Sequence, residues 1–565
     1  MQAVARDPGL FRDEARRFMN LIAASRNRVL AILVEALHRM SGESGSWWEE
    51  KQCRSAVRSY EQTVAIEGGH SDEARAIMAK SLAAALRHWE RKAPDELKQP
   101  VAWFASDHWL DMPAPTRAQS TPESESDAKG GTMRSHTRVL RRWALPFVLL
   151  AILAAARAGA EEPGKTWTLD SNNWQLCKDL LPEVVLNRVK SGEYHFKVME
   201  VDPERFKQNY SKKFWEAGEA NAGKYDLDPA TCGLRDVKTQ KVPDFYFGYP
   251  FPKIDPKDPQ AACKMAQNFS AANGMANGGG ATFTLNGIDG TGEFRRIKLW
   301  GHLQSFLGRS AGPLPNPENL RGTSMSSVTE PQDVDGVGGL TKTLNDWTSQ
   351  DQAWFYVPAT RRVRRVNAAT RSDPLAGLDI FGDDVNCYAG KVEYYKWKLI
   401  GEGNVLAPVL SPYPLPLKQL TPTRWEVSIP YFKAAYETPG AKGAPWLIVD
   451  NLTMVPRPVW ILEGQSDDPY YNFGKVIMYM DKDMYRIYWK LVHNRAGEYF
   501  YNAMCAYHWT KTEDGTFTAV VPNMVVGVND KTNRAAIGGR YSSQFIENNF
   551  DQDYYTLHHL THMSD

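Results

Sequence analysis

The chain has almost no net charge: 67 basic residues stand against 66 acidic ones, leaving +1. That balance gives no electrostatic reason to expect nucleic acid or an anionic membrane surface as a partner. Cysteine is scarce, with 6 in 565 residues, and no two are spaced C-x-x-C. A zinc ribbon and a thioredoxin-like redox site are therefore not indicated. No H-E-x-x-H occurs, and Gly278-Gly279-Gly280 is not followed by Lys-Ser or Lys-Thr. These gaps remove a zincin site and a phosphate-cradling loop. No α/β-hydrolase nucleophile elbow is expected either. No cofactor and no metal is called for.

What is present begins with Met133 to Ala160. Arg134, Arg138, Arg141 and Arg142 precede an apolar run from Trp143 to Ala156, followed by Ala158-Gly159-Ala160 and acidic Glu161-Glu162. The run is shorter than the roughly 20 residues of a membrane-spanning helix. The layout is that of a cleavable signal peptide, with cleavage expected between Ala160 and Glu161. Residues 161–565 are then expected in the periplasm of a Gram-negative bacterium. Residues 1–111 show helical spacing of apolar residues, and 112–132 read as a Pro/Ser/Thr/Glu-rich linker. The first 132 residues are either a helical domain or sequence ahead of a true start at Met133; the second reading is favoured, because signal peptides act at chain beginnings.

Five cysteines follow the signal, so an oxidising compartment leaves at least one thiol over. Cys232 and Cys263 are the expected pair. A helix is expected near Leu181 to Leu186, with Pro182 in its first turn. Residues 209–281 are rich in Gly, Asn, Asp and Pro and read as long loops around short elements. From Thr282 the pattern turns to period two. Asp351 to Val366 reads as strand, turn at Pro358, strand. Lys391 to Ile400, Gly474 to Asp481, Met484 to Asn494 and Glu498 to Trp509 read as further strands with one covered and one wetter face. The expected fold is mainly β with helices (α+β): a large curved antiparallel sheet with a concave, aromatic-lined trough.

Four segments in order carry a family likeness: DQAWFYVPATRRVRRV (residues 351–366), RSDPLAGLD (371–379), Asp383-Asp384, and YYKWKLIGEG (394–403). Together they resemble an exported bacterial family catalogued as domain of unknown function 1329. The resemblance spans most of residues 165–565. It implies the fold of the periplasmic lipoprotein carriers LolA and LolB, an incomplete barrel wrapped around helices. It further implies carriage of a hydrophobic or lipid-like molecule, beside exporters of the resistance-nodulation-division (RND) type and outer-membrane proteins.

The candidate sites follow. Trp354, Tyr356, Tyr395, Trp397, Tyr488 and Trp489 either line a ligand cavity or pack as core. Arg361, Arg362, Arg364 and Arg365 form either a docking surface, or a clamp for an acidic headgroup, or a solvated strand face. Asp373, Asp379, Asp383 and Asp384 do not match a calcium loop and are expected to cap turns or pair with nearby arginines. His558, His559 and His562 read as a tail rather than a zinc site. The leading function is a periplasmic carrier or chaperone without catalytic residues. Its rivals are an exported hydrolase of lipid or polysaccharide using Asp383 and Asp384, and an envelope scaffold that binds no ligand. A carrier is expected to show a deep apolar cavity without a buried carboxylate pair; a hydrolase, converging carboxylates in a polar cleft.

Overall fold

The computed structural model describes residues 165–562, apart from 275–276, 431, 439–445 and 516. The helical segment, linker and signal peptide expected over 1–160, with the cleavage site at Ala160 and Glu161, lie outside the described residues. The described part opens with β1 (Thr166–Leu169), α1 (Glu183–Lys190) and β2 (Phe196–Met199). Pro182 caps α1 with φ −53°, so its missing N–H leaves no bond unmade. Val185, Leu186 and Val189 recur at helical spacing and are buried. α2 (Lys212–Glu219), the small hairpin β3 (Tyr225–Leu227) and β4 (Leu234–Asp236), and α3 (Ala261–Gly274) follow.

The loops expected over 209–281 are in part corrected by α3, a 14-residue helix. Its small residues disguise it, yet they let it lie deep: Ala262, Met265, Ala266, Phe269, Ala271 and Ala272 are all buried. Gly278 to Gly280 likewise open a strand rather than a loop.

Six strands then run up and down: β5 (Gly278–Asp289), β6 (Gly292–Ser305), β7 (Leu320–Glu330), β8 (Gly338–Leu344), β9 (Gln352–Val357) and β10 (Arg362–Val366). After a looped stretch come β11 (Lys396–Val409), β12 (Leu415–Thr421), β13 (Arg424–Val427), β14 (Thr453–Gln465), β15 (Phe473–Asp481), β16 (Ile487–Asn494), β17 (Tyr499–Lys511), β18 (Thr518–Asn529), β19 (Arg534–Glu547) and the short α4 (Leu557–Thr561). Antiparallel pairing runs unbroken as β11-β14-β15-β16-β17-β18-β19-β5-β6-β7-β8-β9-β10. The β12–β13 hairpin bridges the ends of β17 and β19. Short parallel contacts join β2 to β14 and both β11 and β12 to β17, so the 17-stranded sheet is mixed. The mainly β class with few helices is as expected.

The expected wet face is not found on β16 and β17. Tyr501 to Thr510 are buried without interruption, as are Ile487 to Lys490. On one side Lys490, Tyr501 and Cys505 meet the turn Gly382–Cys387. On the other, Trp489 Nε1 donates to the Leu406 carbonyl of β11 at 2.8 Å. A turn about a hundred residues earlier in sequence covers Lys490 on the side of β16 that would have been wet, and on β17 it meets Tyr501 and Cys505 of the aromatic side.

Cys232 and Cys263 are bonded, as anticipated, with Cα atoms 5.5 Å apart. A second bond, Cys387–Cys505, was not anticipated; its Cα atoms are 6.0 Å apart. Cys177 is the thiol left over, and burial pushes it up to about 11, so it stays protonated at neutral pH.

Candidate functional site

The six aromatic candidates do not converge. Trp354 and Tyr356 pack with Met325, Leu340 and Tyr555 in a satellite core under α4. Tyr395 and Trp397 join Tyr388 and Tyr471 in a ring cluster, with Tyr388 and Tyr395 stacked at 4.8 Å. Tyr488 and Trp489 are wholly enclosed in the main core. None of the six lines either of the two best-formed hollows among the described residues. Those hollows hold only about 20 Å³ each, room for about one water. Neither hollow is the deep trough expected from the sequence.

The arginines and aspartates also part company. Arg361 takes the left-handed turn conformation, φ 51°, after the turn Pro358–Thr360. Arg362, Arg364 and Arg365 are exposed on β10, which pairs only with β9 and so ends the sheet. None of the four forms an ion pair among the described residues. Charge on an edge strand guards its open backbone against unwanted pairing.

The four aspartates are anchored one by one. Asp373 accepts from Asn472 Nδ2 at 2.7 Å, and Asp379 faces Arg534 at 3.2 Å. Asp383 lies 3.4 Å from Arg371 Nε and accepts from the Tyr471 hydroxyl, which shares a 2.6 Å bond with Tyr395. Asp384 sits 2.5 Å from Lys490 Nζ and accepts from Tyr501 at 2.6 Å and from the Phe381 N–H at 2.8 Å. Both carboxylates are sealed from solvent, and each has its own cation. Two adjacent acids are present, but neither lines either of the two best-formed hollows among the described residues. They hold the turn Gly382–Cys387 onto β16 and β17.

One hydrolase signal was overlooked in the sequence. Gly308-Arg309-Ser310-Ala311-Gly312 does fit G-x-S-x-G. The elbow needs a strand-to-helix turn and a histidine; here the segment joins β6 to β7, and Ser310 Oγ donates to Asn277 Oδ1 at 3.1 Å. Arg309 instead locks this corner. Its five N–H groups reach Gly312 O, Asn277 O, Ser305 O, Asn548 O and Asn549 Oδ1 at 2.7–3.2 Å.

At the chain's end the His558 and His562 rings lie 4.3 Å apart. Among the described residues no group of three or more His, Cys, Asp or Glu is placed to hold a metal ion. No helix among them is long and apolar enough to cross a membrane.

One place combines a hollow, aromatic walls and an unspent charge. α2 begins where Ser211 Oγ accepts from the Phe214 N–H at 3.3 Å. It then lies directly on the backbone of Gly248 and Tyr249. A Cβ at Gly248, where φ is +85°, would fall 2.3 Å from the Gly218 nitrogen, so only glycine permits this approach. Phe214 meets Tyr249 edge-on at 4.9 Å, Trp215 meets it at 5.7 Å and stacks on Tyr210 at 5.6 Å. Trp215 is 36% exposed at the outer end. Under this cover is Arg486, only 3% exposed. It donates to Ala272 O at 2.7 Å and Asn273 Oδ1 at 2.6 Å, at the C-terminal end of α3. Among the described residues its Nε has no partner, nor has the Oδ1 of Asn209, which shares the hollow. Sequence reasoning missed Arg486, although an arginine inside the apolar run Met484-Tyr485-Arg486-Ile487-Tyr488-Trp489 was a usable signal.

The profile of a family described as "Protein of unknown function (DUF1329)" matches residues 168–560. The chain belongs to the DUF1329 family. The match runs from within β1 to within α4 and takes in the hollow under α2, so the site lies wholly within the DUF1329 region. No curated protein matches the chain. Among solved structures this DUF1329 protein is similar to a domain assigned provisionally to outer-membrane lipoprotein sorting, from Vibrio parahaemolyticus, at 14% identity and TM-score 0.36, covering 53% of this chain and 97% of that one. A DUF1329 family protein from Desulfovibrio piger gives 12% identity and TM-score 0.36, covering 52% and 96%. A LolA superfamily protein from Nitrosomonas europaea gives 13% and 0.31, covering 52% and 98%. Scores this low carry no functional argument for the DUF1329 protein described here.

Proposed function

We propose that the protein is a carrier of a hydrophobic, lipid-like molecule in an oxidising envelope compartment, the periplasm. The observation that carries this reading is the aromatic hollow beneath α2, closed by an amphipathic helix resting on glycine backbone. For a ligand to enter, this cover has to lift, which breaks its contacts with Tyr210, Phe247, Gly248 and Tyr249. An acyl chain entering there gains about 0.8 kcal/mol per buried CH₂. Two disulfides support an oxidising location, since such bonds are rare in cytosolic proteins. The signal peptide at 133–160 and the domain bounds 161–565 belong to the same reading. No catalytic step is part of it.

Protein purified from its native host and extracted with organic solvent is expected to release a lipid or other hydrophobic compound, identified by mass spectrometry. Extracts that match a buffer blank from fully folded protein sink the carrier reading.

Hand-over needs partners, and the turn residue Arg361 with Arg362, Arg364 and Arg365 of the edge strand β10 has no counter-ion among the described residues. We assign them the docking of an RND-type transporter or an outer-membrane protein. A pull-down from solubilised envelopes is expected to recover such a partner with the wild type and to lose it when all four are changed to Ser. Equal recovery by both removes the docking role.

A further inference from the structure

Among the described residues three arginines are buried, and comparing them singles out one. Arg457 is saturated: its guanidinium binds Asp481 at 2.8 Å and Asp483 at 2.9 Å, and touches the Tyr210 hydroxyl at 3.0 Å. Arg309 has no carboxylate, but all five of its N–H groups meet oxygen acceptors. Arg486 has neither. Two acceptors at the end of α3 serve it, and no Asp or Glu lies within ion-pair reach among the described residues. The negative end of the α3 dipole compensates its charge only in part.

A buried cation left short of partners is costly, and burial draws the Arg486 guanidinium below its ordinary pKa. Arg486 and Asn209 both line the hollow, the Arg486 Nε and Asn209 Oδ1 are buried without a partner among the described residues, and Phe214 and Trp215 of α2 line the same hollow. A ligand fitting these walls has an apolar body and one anionic end. Guanidinium suits carboxylate and phosphate oxygens, which it meets with two parallel N–H donors.

We propose that Arg486 receives the anionic head of an amphiphile, a long-chain carboxylate or phosphate monoester, whose apolar tail runs out beneath α2 past Tyr249 and Trp215. The inference rests on the carrier reading and adds the chemistry of the ligand's head. Seating the tail requires α2 to lift, because the closed hollow holds only about 20 Å³.

The test uses the full chain and the fluorescent fatty acid cis-parinaric acid as probe. Palmitate and hexadecyl phosphate are expected to displace it, and 1-hexadecanol, equal in chain length but neutral, to do so at least about tenfold less well, the ratio a charge-assisted hydrogen bond supplies. Acetate and inorganic phosphate are expected not to displace it. In Arg486→Gln the preference for acid over alcohol is expected to fall to within about twofold, with the affinity for the alcohol kept. Equal displacement by acid and alcohol in the wild type overturns the role of Arg486 and leaves the carrier reading standing. Failure of the probe and all three long-chain compounds to bind overturns both. Displacement by acetate or phosphate as strong as by palmitate overturns the amphiphile and leaves a simple anion site. Should Arg486→Gln not fold, the wild-type comparison still decides. Photo-crosslinking with a diazirine-bearing palmitate then gives the position: label on peptides holding Tyr210 to Trp215 or Tyr249 supports the inference, and label confined to other peptides overturns it.

Discussion

Changing Lys490 to Met is expected to lower the unfolding free energy by about 3–5 kcal/mol, the usual cost of orphaning a buried charge. Lys490 Nζ lies 2.5 Å from Asp384 Oδ1, with both side chains 1% exposed. It also donates to the Asp383 carbonyl at 2.9 Å, so one ammonium group ties β16 to the covering turn twice. Methionine fills a similar volume, so the loss is electrostatic rather than a cavity. The double variant Lys490→Met/Asp384→Asn is expected to recover part of the loss, because the uncompensated carboxylate is gone. Urea denaturation reads the effect as a fall in midpoint with unchanged slope. A loss below about 1 kcal/mol, the worth of an exposed pair, shows that water reaches Asp384 and returns the hydrolase reading to contention.

Removing the Cys387–Cys505 disulfide is expected to cost about 5 kcal/mol if chain entropy governs it, more than the about 4 kcal/mol for Cys232–Cys263. The reason is the separation in sequence, 118 residues against 31. The longer bond also pins the same turn that Lys490 holds, so the two changes are expected to be non-additive. Paired Cys→Ala variants compared in urea give the ranking. A larger loss at Cys232–Cys263 sinks the entropic explanation, and no loss at Cys387–Cys505 shows that Lys490, Tyr501 and packing suffice to seat the turn.

Both expectations concern the stretch Arg371 to Cys387, where sequence and structure inform each other least evenly. Asp383 and Asp384 stood out in the chain because two acids side by side invite a chemical role. Their partners are Arg371, Tyr471, Lys490 and Tyr501, and only Arg371 is nearby in sequence. Nothing local could say that those partners close over them. The same holds for Cys387, whose bond partner lies on β17. By contrast, the hairpin at Val357 to Arg362 was legible because a proline and two alternating runs are local signals. α3 was not, because a helix rich in alanine and small polar residues lacks the contrast between faces that periodicity detects. Its depth comes from the sheet around it.

For the candidate site the division is similar. Tyr249, Trp215 and Arg486 are far apart in the chain and are joined only by packing. Their aromatic and basic character was visible, their meeting was not. The family likeness was legible because the order of several short motifs survives where each alone is weak.

The amino-acid sequence by itself determined the β-rich class, the hairpins around Pro358 and around Lys482-Asp483, the helix after Pro182 and the family, since these depend on periodicity, turn chemistry and motif order along the chain. Tertiary structure alone decided which faces were dry, which carboxylates were neutralised, and which buried arginine was left without an acid. Those outcomes depend on distances between segments hundreds of residues apart, and charge and burial respond to distance in space rather than to position in the chain.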